Sequence, residues 1–328
     1  MKILVTGSNG QLGKAVVREL KHRGHEVIPA SHENMDITKE DIVWSVLEKV
    51  RPDAVVHCAA YTNVDRAEEE REVCRRVNVC GTKYLVKWCG EHDIKFLYVS
   101  TDYVFSGAGT VPHGEEDEKN PLNTYGQSKH EGEELVKKNL KKWYIVRTSW
   151  LYGEGQNFVT AILKRAKEEG ELQVVNDQIG SPTYAEDLAV TIGELIETER
   201  YGVYHVTNTG ECTWYEFACE ILKYADIEAV VHPVTTEQYP KKAMRPKNSR
   251  LAKKKLEKEG FKALPHWRDA LKRYIYIMIP FLDRDSELTY IKINADDGCC
   301  IEELSQFLES KYESYFYEES SKSEYILV

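Results

Sequence analysis

A tyrosine and a lysine four residues apart are the side chains in this sequence that most directly suggest chemistry. Tyr125 and Lys129 lie in the string NPLNTYGQSKHEGE, and on a helix they would be neighbours on one face. An ammonium group beside a phenol stabilises the phenolate and lowers the pKa of the tyrosine from about 10 toward neutral pH. The pair can then pass a proton to or from a carbonyl or alcohol oxygen. Such pairs also occur on solvated helices, so the surrounding sequence has to decide.

A glycine-rich turn near the N-terminus predicts a dinucleotide site. Residues 2–6 (KILVT) form an apolar run typical of a buried parallel strand, and a helical stretch over residues 14–22 follows. The intervening GxxGxxG permits a sharp turn, a close approach to a pyrophosphate and tight helix packing, and the helix N-terminus offers free N–H groups. The expected cofactor-binding residues of this turn are Gly7, Asn9, Gly10, Gln11, Leu12 and Gly13.

The second predicted strand, residues 25–30, bears on the choice of cofactor. A site that prefers NAD usually places an acidic residue at the tip of this strand, but here the tip is Ser31. Without a carboxylate to repel it, a 2'-phosphate is tolerated, and Ser31 can donate to it. The alternative is that Ser31 only begins a loop. We therefore expect NADPH, with NADH left open, and we expect Asp36 and Ile37 to contact the cofactor as well.

Two further predicted strands bring candidates to the same edge of a parallel sheet. Residues 53–59 lead to Ala59, Ala60 and Tyr61, whose small leading side chains leave room for the nicotinamide half of the cofactor. Residues 95–100 deliver Thr101 and Asp102 to the carboxyl edge, where ligands bind in open α/β folds. The expected fold class is therefore α/β, a Rossmann-type doubly wound parallel sheet.

Composition excludes several classes of function. The chain has 328 residues, 42% of them hydrophobic, enough for a full sheet and a smaller second domain. Of the net charge of −10, residues 280–328 carry −8, so the nearly neutral remainder gives no electrostatic support for nucleic-acid binding. The eight cysteines form no CxxC pair and have no histidine at zinc-ligand spacing, so we expect free thiols and no metal site. With no long apolar run and no secretory segment, we expect a cytoplasmic protein that does not bind membranes.

Longer strings resemble those of a known family. The glycine turn and the YxxxK pair resemble the extended short-chain dehydrogenase/reductase superfamily, and the joint occurrence of STDYVF, RTSWLYG and DQIGSPT resembles the dTDP-4-dehydrorhamnose reductase family within it. The strings TGSNGQLG, MDIT, AAYTNVDRAE, NPLNTYGQSKHEGE and RPKNSRL add to the match and keep the order of the family. The resemblance covers residues 1–276.

This resemblance implies reduction of the C4 keto group of dTDP-4-dehydro-L-rhamnose to dTDP-L-rhamnose, for cell-surface polysaccharide. NADPH would deliver hydride to C4, Tyr125 would protonate the developing oxyanion, and Thr101 would hydrogen-bond that oxygen. Lys129 would hold the cofactor ribose and tune the tyrosine. The expected partner is this nucleotide sugar; a homodimer and a requirement for Mg²⁺ stay open.

The nucleotide sugar needs contacts of its own. Trp150 matches the position at which the family stacks the sugar, with core packing as the alternative. Arg245 is a candidate for the diphosphate because a guanidinium binds phosphate oxygens in a bidentate way, and Asn157 can donate to the same group. The expected substrate-binding residues are Val64, Asp65, Thr101, Asp102, Trp150, Asn157 and Arg245.

The resemblance also implies a division into domains. Residues 1–152 and about 183–207 would form the cofactor-binding domain, and about 153–182 and 208–276 a discontinuous α/β substrate domain. The family commonly ends near residue 276, whereas here an acidic appendage of unknown function continues over residues 277–328. We expect a small α+β unit there, with strands at 288–294 and 324–328 and a helix at 301–311, docked on the body or on a partner. Its Cys299 and Cys300 are a redox pair or simple thiols.

Two other functions remain open from the sequence. Epimerases and dehydratases of nucleotide sugars share the glycine turn and the Tyr/Lys pair but need retained NAD and further acid/base groups, for which Asp102 leaves room. A non-enzymatic relative serves as a regulatory subunit of methionine adenosyltransferase and binds NADP. The intact Thr101, Tyr125 and Lys129 argue against that role, and only the appendage suggests a protein partner.

Overall fold

A six-stranded sheet of parallel strands lies at the centre of the fold, in a computed structural model that describes residues 1–282. The strands in this range are β1 (Lys2–Thr6), β2 (Glu26–Ala30), β3 (Ala54–His57), β4 (Lys95–Thr101), β5 (Trp143–Thr148), β6 (Leu151–Tyr152), β7 (Glu171–Val175), β8 (Ile179–Gly180), β9 (Thr183–Tyr184), β10 (Gly202–His205), β11 (Cys212–Thr213) and β12 (Val230–Val234). The strand order of the central sheet is β10-β5-β4-β3-β1-β2, and every pairing in it is parallel.

Helices cover both faces of this sheet. In the described range they are α1 (Gln11–His22), α2 (Glu40–Val50), α3 (Val64–Glu69), α4 (Arg71–Arg75), α5 (Thr82–Glu91), α6 (Thr124–Asn139), α7 (Phe158–Glu169), α8 (Ala185–Ile196), α9 (Trp214–Tyr224), α10 (Lys254–Lys258) and α11 (Trp267–Leu282). A π-helical turn (Arg76–Gly81) joins α4 to α5, and a 3₁₀ turn (Asp102–Val104) follows β4.

Successive side chains of each strand point to opposite faces of the sheet, so a separate hydrophobic core lies on each face. Ile3 and Val5 of β1 pack with α1 and α8 on one face, whereas Leu4 packs with α2, α5 and α6 on the other. Because both faces are covered, the strands are almost continuously apolar, as expected for a parallel sheet. The fold is therefore the predicted Rossmann-type α/β architecture.

The order of the sheet fixes where a ligand can bind. β1 lies between β2 and β3, so the crossover connections leave in opposite directions at its carboxyl end. In open α/β sheets ligands bind in the crevice at this switch point. The connections that leave β1, β3 and β4 at this edge contain Gly7, Ala59 and Asp102, so the predicted site residues converge there.

A smaller group of elements lies beyond the main sheet. The parallel pair β7 and β12 packs with α7 and α9, while β8 pairs with β11 and β6 pairs with β9 in short ladders. Between them, β10 pairs with β5 in the central sheet. The sequence-based division of residues 1–276 into two domains stays a prediction.

The chain separates into two compact units, Met1–Leu271 and Lys272–Val328. The strands and the helix predicted between residues 288 and 328, and Cys299 with Cys300, lie outside the described residues. Within residues 1–282, none of the helices is long and apolar enough to cross a membrane.

Several boundaries differ from the sequence-based ones. The first helix begins at Gln11 rather than at residue 14, because the glycine turn itself opens it. The third strand ends at His57 rather than at residue 59, and the residues after it leave the sheet to form a wall of the cavity described below. Val64 and Asp65, which are predicted to contact the substrate, lie in the first turn of helix α3, and Asn63 accepts from the Arg66 N–H as its N-cap.

Candidate active site

A cavity of about 1350 Å³ opens at the carboxyl edge of the central sheet. It contains most of the residues that the sequence predicts for cofactor and substrate. Those lining it are Gly7, Asn9, Gly10, Gln11, Leu12, Gly13, Ser31, Asp36, Ile37, Ala59, Ala60, Val64, Asp65, Thr101, Asp102, Tyr125, Lys129, Trp150 and Arg245. Tyr61 and Asn157 are not among its lining residues. No group of His, Cys, Asp and Glu side chains in the described part of the chain is arranged to hold a metal ion.

The glycine turn forms a cradle that side chains would fill. Gly7 has a φ of +64°, and a Cβ there would lie 2.7 Å from the Ala59 backbone. A Cβ on Gly13 would lie 2.1 Å from the Gly7 carbonyl oxygen. The turn is closed by the Gly10 N–H, which donates to the Gly7 carbonyl at 2.9 Å. Helix α1 then begins at Gln11 with its N-terminus at the cavity, an arrangement that suits a dinucleotide pyrophosphate.

The end of β2 lines the cavity without a carboxylate at its tip. Ser31 is mostly buried, and its N–H donates to the Asn34 side chain at 2.7 Å. Asp36 follows further along, where its carboxylate accepts from the hydroxyl and N–H of Thr38. His32 is the cavity-lining side chain beside Ser31 that can carry positive charge. This wall therefore suits a cofactor whose ribose carries a phosphate.

Tyr61 contacts protein rather than the cavity. Its hydroxyl donates to Glu70 at 2.7 Å, and its N–H donates to the Asn78 side-chain oxygen at 2.7 Å. Asn78 lies in the π-helical turn and donates to Ser128, the neighbour of Lys129, at 2.9 Å. Sequence reasoning did not identify Asn78, although π-helical turns are frequent at functional sites. The cofactor contact of Tyr61 stays a prediction, and Asn78 links this loop to α6.

The three predicted catalytic residues meet in the cavity. Tyr125 lies in the first turn of α6, and its phenol hydrogen-bonds with the Thr101 hydroxyl at the end of β4. Burial raises the pKa of Tyr125 above its usual value, while the Thr101 hydrogen bond opposes that change. Burial dominates this pKa and Lys129 is not among the groups that shift it, so the expectation that Lys129 lowers it is not met. The tyrosine is protonated, as a proton donor must be.

Lys129 is buried deep in the site. Its side chain is almost fully enclosed, and Nζ lies 4.0 Å from the centre of the Tyr98 ring. Burial lowers the pKa of Lys129 to about 7, and the nearby Glu133 carboxylate opposes this change. The charge of Lys129 thus depends on its surroundings near neutral pH.

Asp102 sits beside Thr101 with its side chain buried. It accepts the Thr101 hydroxyl hydrogen at 3.0 Å. Burial raises the pKa of Asp102 to about 7, with hydrogen bonds from Ser249 and Thr101 opposing the change. A cavity-lining acid with such a perturbed pKa marks a functional region.

Trp150 lines the cavity in a strained backbone conformation. Its φ is +49°, which is uncommon for a residue other than glycine, and such strain often occurs at functional sites. One face of its indole stacks on Trp214, with ring centres 3.6 Å apart. Trp214 also lines the cavity and was not identified from the sequence. The predicted single stacking residue is therefore part of an aromatic pair.

Arg245 and Asp65 form a bidentate ion pair at the cavity wall. Arg245 donates to the two Asp65 carboxylate oxygens at 3.0 and 2.7 Å, and the Ala243 N–H donates to the same carboxylate. Hydrogen bonding by Arg245 lowers the pKa of Asp65, although burial opposes it. Both are predicted substrate residues, and in this structure they bind each other across 180 positions of the sequence.

Asn157 is the N-cap of helix α7. Its side-chain oxygen accepts from the Thr160 N–H at the start of α7, which forms a capping box. Its amide nitrogen donates to the carbonyls of Gly153 and Gly155, at 2.6 and 3.2 Å. Both donated hydrogens of Asn157 are thus used within its own loop in this structure, and its contact with the pyrophosphate stays a prediction.

Comparisons with known proteins agree with this site. Residues 1–279 match the family described as RmlD substrate binding domain. The chain is 42% identical to the spore coat polysaccharide biosynthesis protein SpsK of Bacillus subtilis, over 84% of this chain and 96% of that protein. It is 41% identical to a dTDP-4-dehydrorhamnose reductase of Aggregatibacter actinomycetemcomitans, over 83% of this chain and 97% of that protein.

A solved structure extends the likeness to three dimensions. The dTDP-4-dehydrorhamnose reductase of Bacillus anthracis in complex with NADP superimposes with a TM-score of 0.81 at 43% identity. The match covers 83% of this chain and 98% of that one. With similarity along nearly the whole length of its relatives, the chain belongs to the dTDP-4-dehydrorhamnose reductase family.

Proposed function

We propose that the protein reduces the C4 keto group of dTDP-4-dehydro-L-rhamnose to dTDP-L-rhamnose with NADPH. The observation that carries this proposal is the contact between Tyr125 and Thr101 in the cavity that the glycine turn also lines. A proton donor, a second hydroxyl and a dinucleotide cradle are the parts that carbonyl reduction requires. Relatives named as dTDP-4-dehydrorhamnose reductases support the identity of the substrate.

The residues of the chain divide the work of this reaction. When bound, the reduced nicotinamide supplies a hydride for C4 of the sugar. Tyr125 donates its proton to the C4 oxygen, so that the ketone gains one hydride and one proton and becomes an alcohol. Thr101 hydrogen-bonds that oxygen and fixes its position, and Lys129, as an ammonium, stabilises the phenolate that Tyr125 leaves behind. A proton taken up from solvent then restores the neutral Tyr125 phenol.

The cradle residues fit a dinucleotide. Gly7 and Gly13 leave open the space that a Cβ would fill, and the α1 N-terminus provides N–H groups for the diphosphate. We propose NADPH rather than NADH because the tip of β2 offers Ser31 and His32 and no carboxylate. The NADP complex of the Bacillus anthracis relative supports this preference.

The sugar nucleotide would occupy the outer part of the same cavity. Trp150 and Trp214 offer an aromatic wall for the deoxyhexose, and Val64 and Asp65 of α3 line the same cavity. Three cationic side chains from the smaller group of elements also line the cavity, namely Arg165, Lys241 and Arg245. They are the candidates for the two phosphates of the substrate.

The test is NADPH oxidation at 340 nm with dTDP-4-dehydro-L-rhamnose as substrate. We expect turnover by the wild type and a loss of about 10²–10⁴-fold in kcat for Tyr125→Phe. Tyr201→Phe is the matched control, because the Tyr201 hydroxyl is enclosed outside the cavity without a hydrogen-bond partner in the described part of the chain. Absence of turnover by a folded wild type that binds NADPH would contradict the proposal and favour a regulatory, non-catalytic role.

A further inference from the structure

A fully buried ion pair lies directly behind the catalytic residues. Glu133 of α6 and Arg147 of β5 both have no exposed surface. Arg147 donates to the two oxygens of the Glu133 carboxylate at 2.7 and 2.6 Å. The Ser100 hydroxyl donates to the same carboxylate at 2.6 Å. One carboxylate thus joins three elements, β4, β5 and α6.

Each of these contacts is adjacent to a catalytic position. Ser100 directly precedes Thr101 on β4, and Arg147 on β5 is the register partner of Ser100. Glu133 lies one helical turn beyond Lys129 and two turns beyond Tyr125 on α6. The network therefore fixes the helix that supplies Tyr125 and Lys129 against the strand that supplies Thr101.

The remaining hydrogen bonds keep the pair ionised. Arg147 also donates to the Glu115 carbonyl at 2.9 Å and contacts His205 Nε2 at 3.2 Å. Burial lowers the pKa of His205 well below its usual value, so its neutral ring accepts from Arg147. Burial alone would raise the pKa of Glu133, but the hydrogen bonds and the charge of Arg147 lower it below its usual range.

Stability alone gives little reason for such a pair. Removing two charges from water carries a large cost in free energy, and well-packed apolar replacements of buried ion pairs are often neutral or stabilising. A chain that only needed a packed core at this point would do as well with apolar residues. Glu133, the negative member of the pair, lies one helical turn from Lys129, and this location suggests that Glu133 acts on the lysine.

The titratable groups around Lys129 indicate how Glu133 acts on this lysine. The titratable groups that face its ammonium are His57 at the end of β3, Cys58 just after it, Cys74 on α4, Tyr98 on β4 and Glu133 on α6. Burial lowers the pKa of His57 to about 3 and raises the pKa of Cys58 to about 12. Burial likewise raises the pKa values of Cys74 and Tyr98. Among these groups, Glu133 is the one that is charged at neutral pH.

We propose that Glu133 is a positioning residue that keeps the buried Lys129 in its ammonium form and holds α6 in register with β4. Arg147 in turn keeps Glu133 ionised and aimed. The role of Lys129 in turnover rests on the proposed function, but its charge state can be measured without turnover. The proposal therefore can fail while the proposed reaction stands, and the reverse also holds.

The test uses the full-length protein with ¹³Cε-labelled lysine. The NMR signal of Lys129 is assigned by its loss in Lys129→Met, and its titration is followed in wild type and in Glu133→Gln. Loss of a nearby opposite charge lowers a lysine pKa, so we expect the titration midpoint to fall by about one pH unit. The alkaline limb of the pH profile of kcat/KM for NADPH-dependent reduction should move by the same amount in the same direction.

Two further variants separate this effect from a simple loss of structure. Glu133→Gln leaves the buried Arg147 without a carboxylate partner, and breaking a buried ion pair in this way is strongly destabilising. The double variant Glu133→Gln/Arg147→Met removes both charges and carries the test if the single variant does not fold. Glu134→Gln, which removes an exposed carboxylate one position along the same helix, is the control and should leave the midpoint unchanged. A Lys129 midpoint in the single and double variants equal to that of the wild type would overturn the proposal.

Discussion

The Thr101 hydroxyl donates its hydrogen to the Asp102 carboxylate across 3.0 Å. Burial raises the pKa of Asp102 to about 7, so near neutral pH this acid can also hold the proton of the contact. With Asp102 protonated, the Thr101 hydroxyl can donate its own hydrogen to a substrate oxygen. Burial also raises the pKa of Tyr125, which keeps the phenol protonated as a general acid.

The buried Asp102 predicts an unusual dependence of stability on pH. Its pKa is about 7 in the folded protein and 3.8 when unperturbed. Between these values the folded protein retains a proton that the unfolded chain has lost, so this group makes the wild type less stable as pH rises from about 4 to 7. The asparagine of Asp102→Asn does not titrate, so the stability of this variant does not fall with pH for this reason. We expect the free energy of unfolding of the variant, relative to wild type, to improve by roughly 2–4 kcal/mol between pH 4.5 and pH 8.

Urea unfolding at the two pH values measures this difference. Asp41→Asn, an exposed carboxylate in the first turn of α2, is the control and should show no comparable change. An equal gap between Asp102→Asn and wild type at pH 4.5 and pH 8 would show that Asp102 is not perturbed by burial.

The glycine turn predicts two distinct effects of a single methyl group. A Cβ on Gly13 would lie 2.1 Å from the Gly7 carbonyl oxygen, so Gly13→Ala has to displace backbone. A Cβ on Gly10 would lie 3.2 Å from the same oxygen, and Gly10 has an ordinary φ of −79°. We expect Gly13→Ala to lower the melting temperature strongly and Gly10→Ala to lower it little.

Binding of NADPH, followed by nicotinamide fluorescence, gives the second readout. Both variants should weaken binding about tenfold or more, because each methyl group lies where the backbone approaches the pyrophosphate. Undiminished affinity in a folded Gly10→Ala variant would place the pyrophosphate elsewhere.

Lys241 is expected to bind the substrate diphosphate. Of the three cations proposed for this role, Arg165 is paired with Glu169 and Arg245 with Asp65. Lys241 has no carboxylate at ion-pair distance within the described residues, and its ammonium lies over the Tyr239 ring. We expect Lys241→Met to raise KM for the nucleotide sugar about tenfold with little change in kcat.

The adjacent lysine provides the control for this experiment. Lys242 forms an ion pair with Glu69 and does not line the cavity, so Lys242→Met should leave KM unchanged. Calorimetric titration with dTDP gives the same comparison without turnover. Equal effects of the two substitutions would indicate only a general loss of positive charge.

Asn157 is expected to contribute to stability and not to substrate affinity. Loss of its N-cap hydrogen bond in Asn157→Ala should cost about 1 kcal/mol. Thr213→Ala, which removes the equivalent capping box of α9, should cost a similar amount. Thermal unfolding and KM for the nucleotide sugar check both variants. A large rise in KM for Asn157→Ala alone would restore the predicted contact with the pyrophosphate.

Local patterns in the sequence predicted much of the fold and the centre of the site. The GxxGxxG turn, the apolar strand runs and the Tyr125/Lys129 spacing each depend on residues close together in the chain. They also dictate the backbone that follows, so the sheet edge and the residues that meet there could be predicted. In the structure Thr101, Tyr125 and Lys129 line the same cavity, and their catalytic roles stay predictions.

Contacts between distant parts of the chain could not be predicted in the same way. The Arg245–Asp65 pair and the Trp150–Trp214 stack join segments that no local pattern relates. The pKa of Tyr125 depends on the depth of burial, which reverses the effect expected from Lys129 alone.

Transfer of deuterium from labelled NADPH to the sugar tests the central claim most directly. The protein is incubated with dTDP-4-dehydro-L-rhamnose and with NADPH in which both hydrogens on C4 of the nicotinamide are replaced by deuterium. The product is then examined by proton NMR. We predict dTDP-L-rhamnose with one deuterium at C4 and one NADPH oxidised for each sugar reduced. A product without deuterium at C4, or conversion of the sugar with no net oxidation of NADPH, would contradict the proposed reduction.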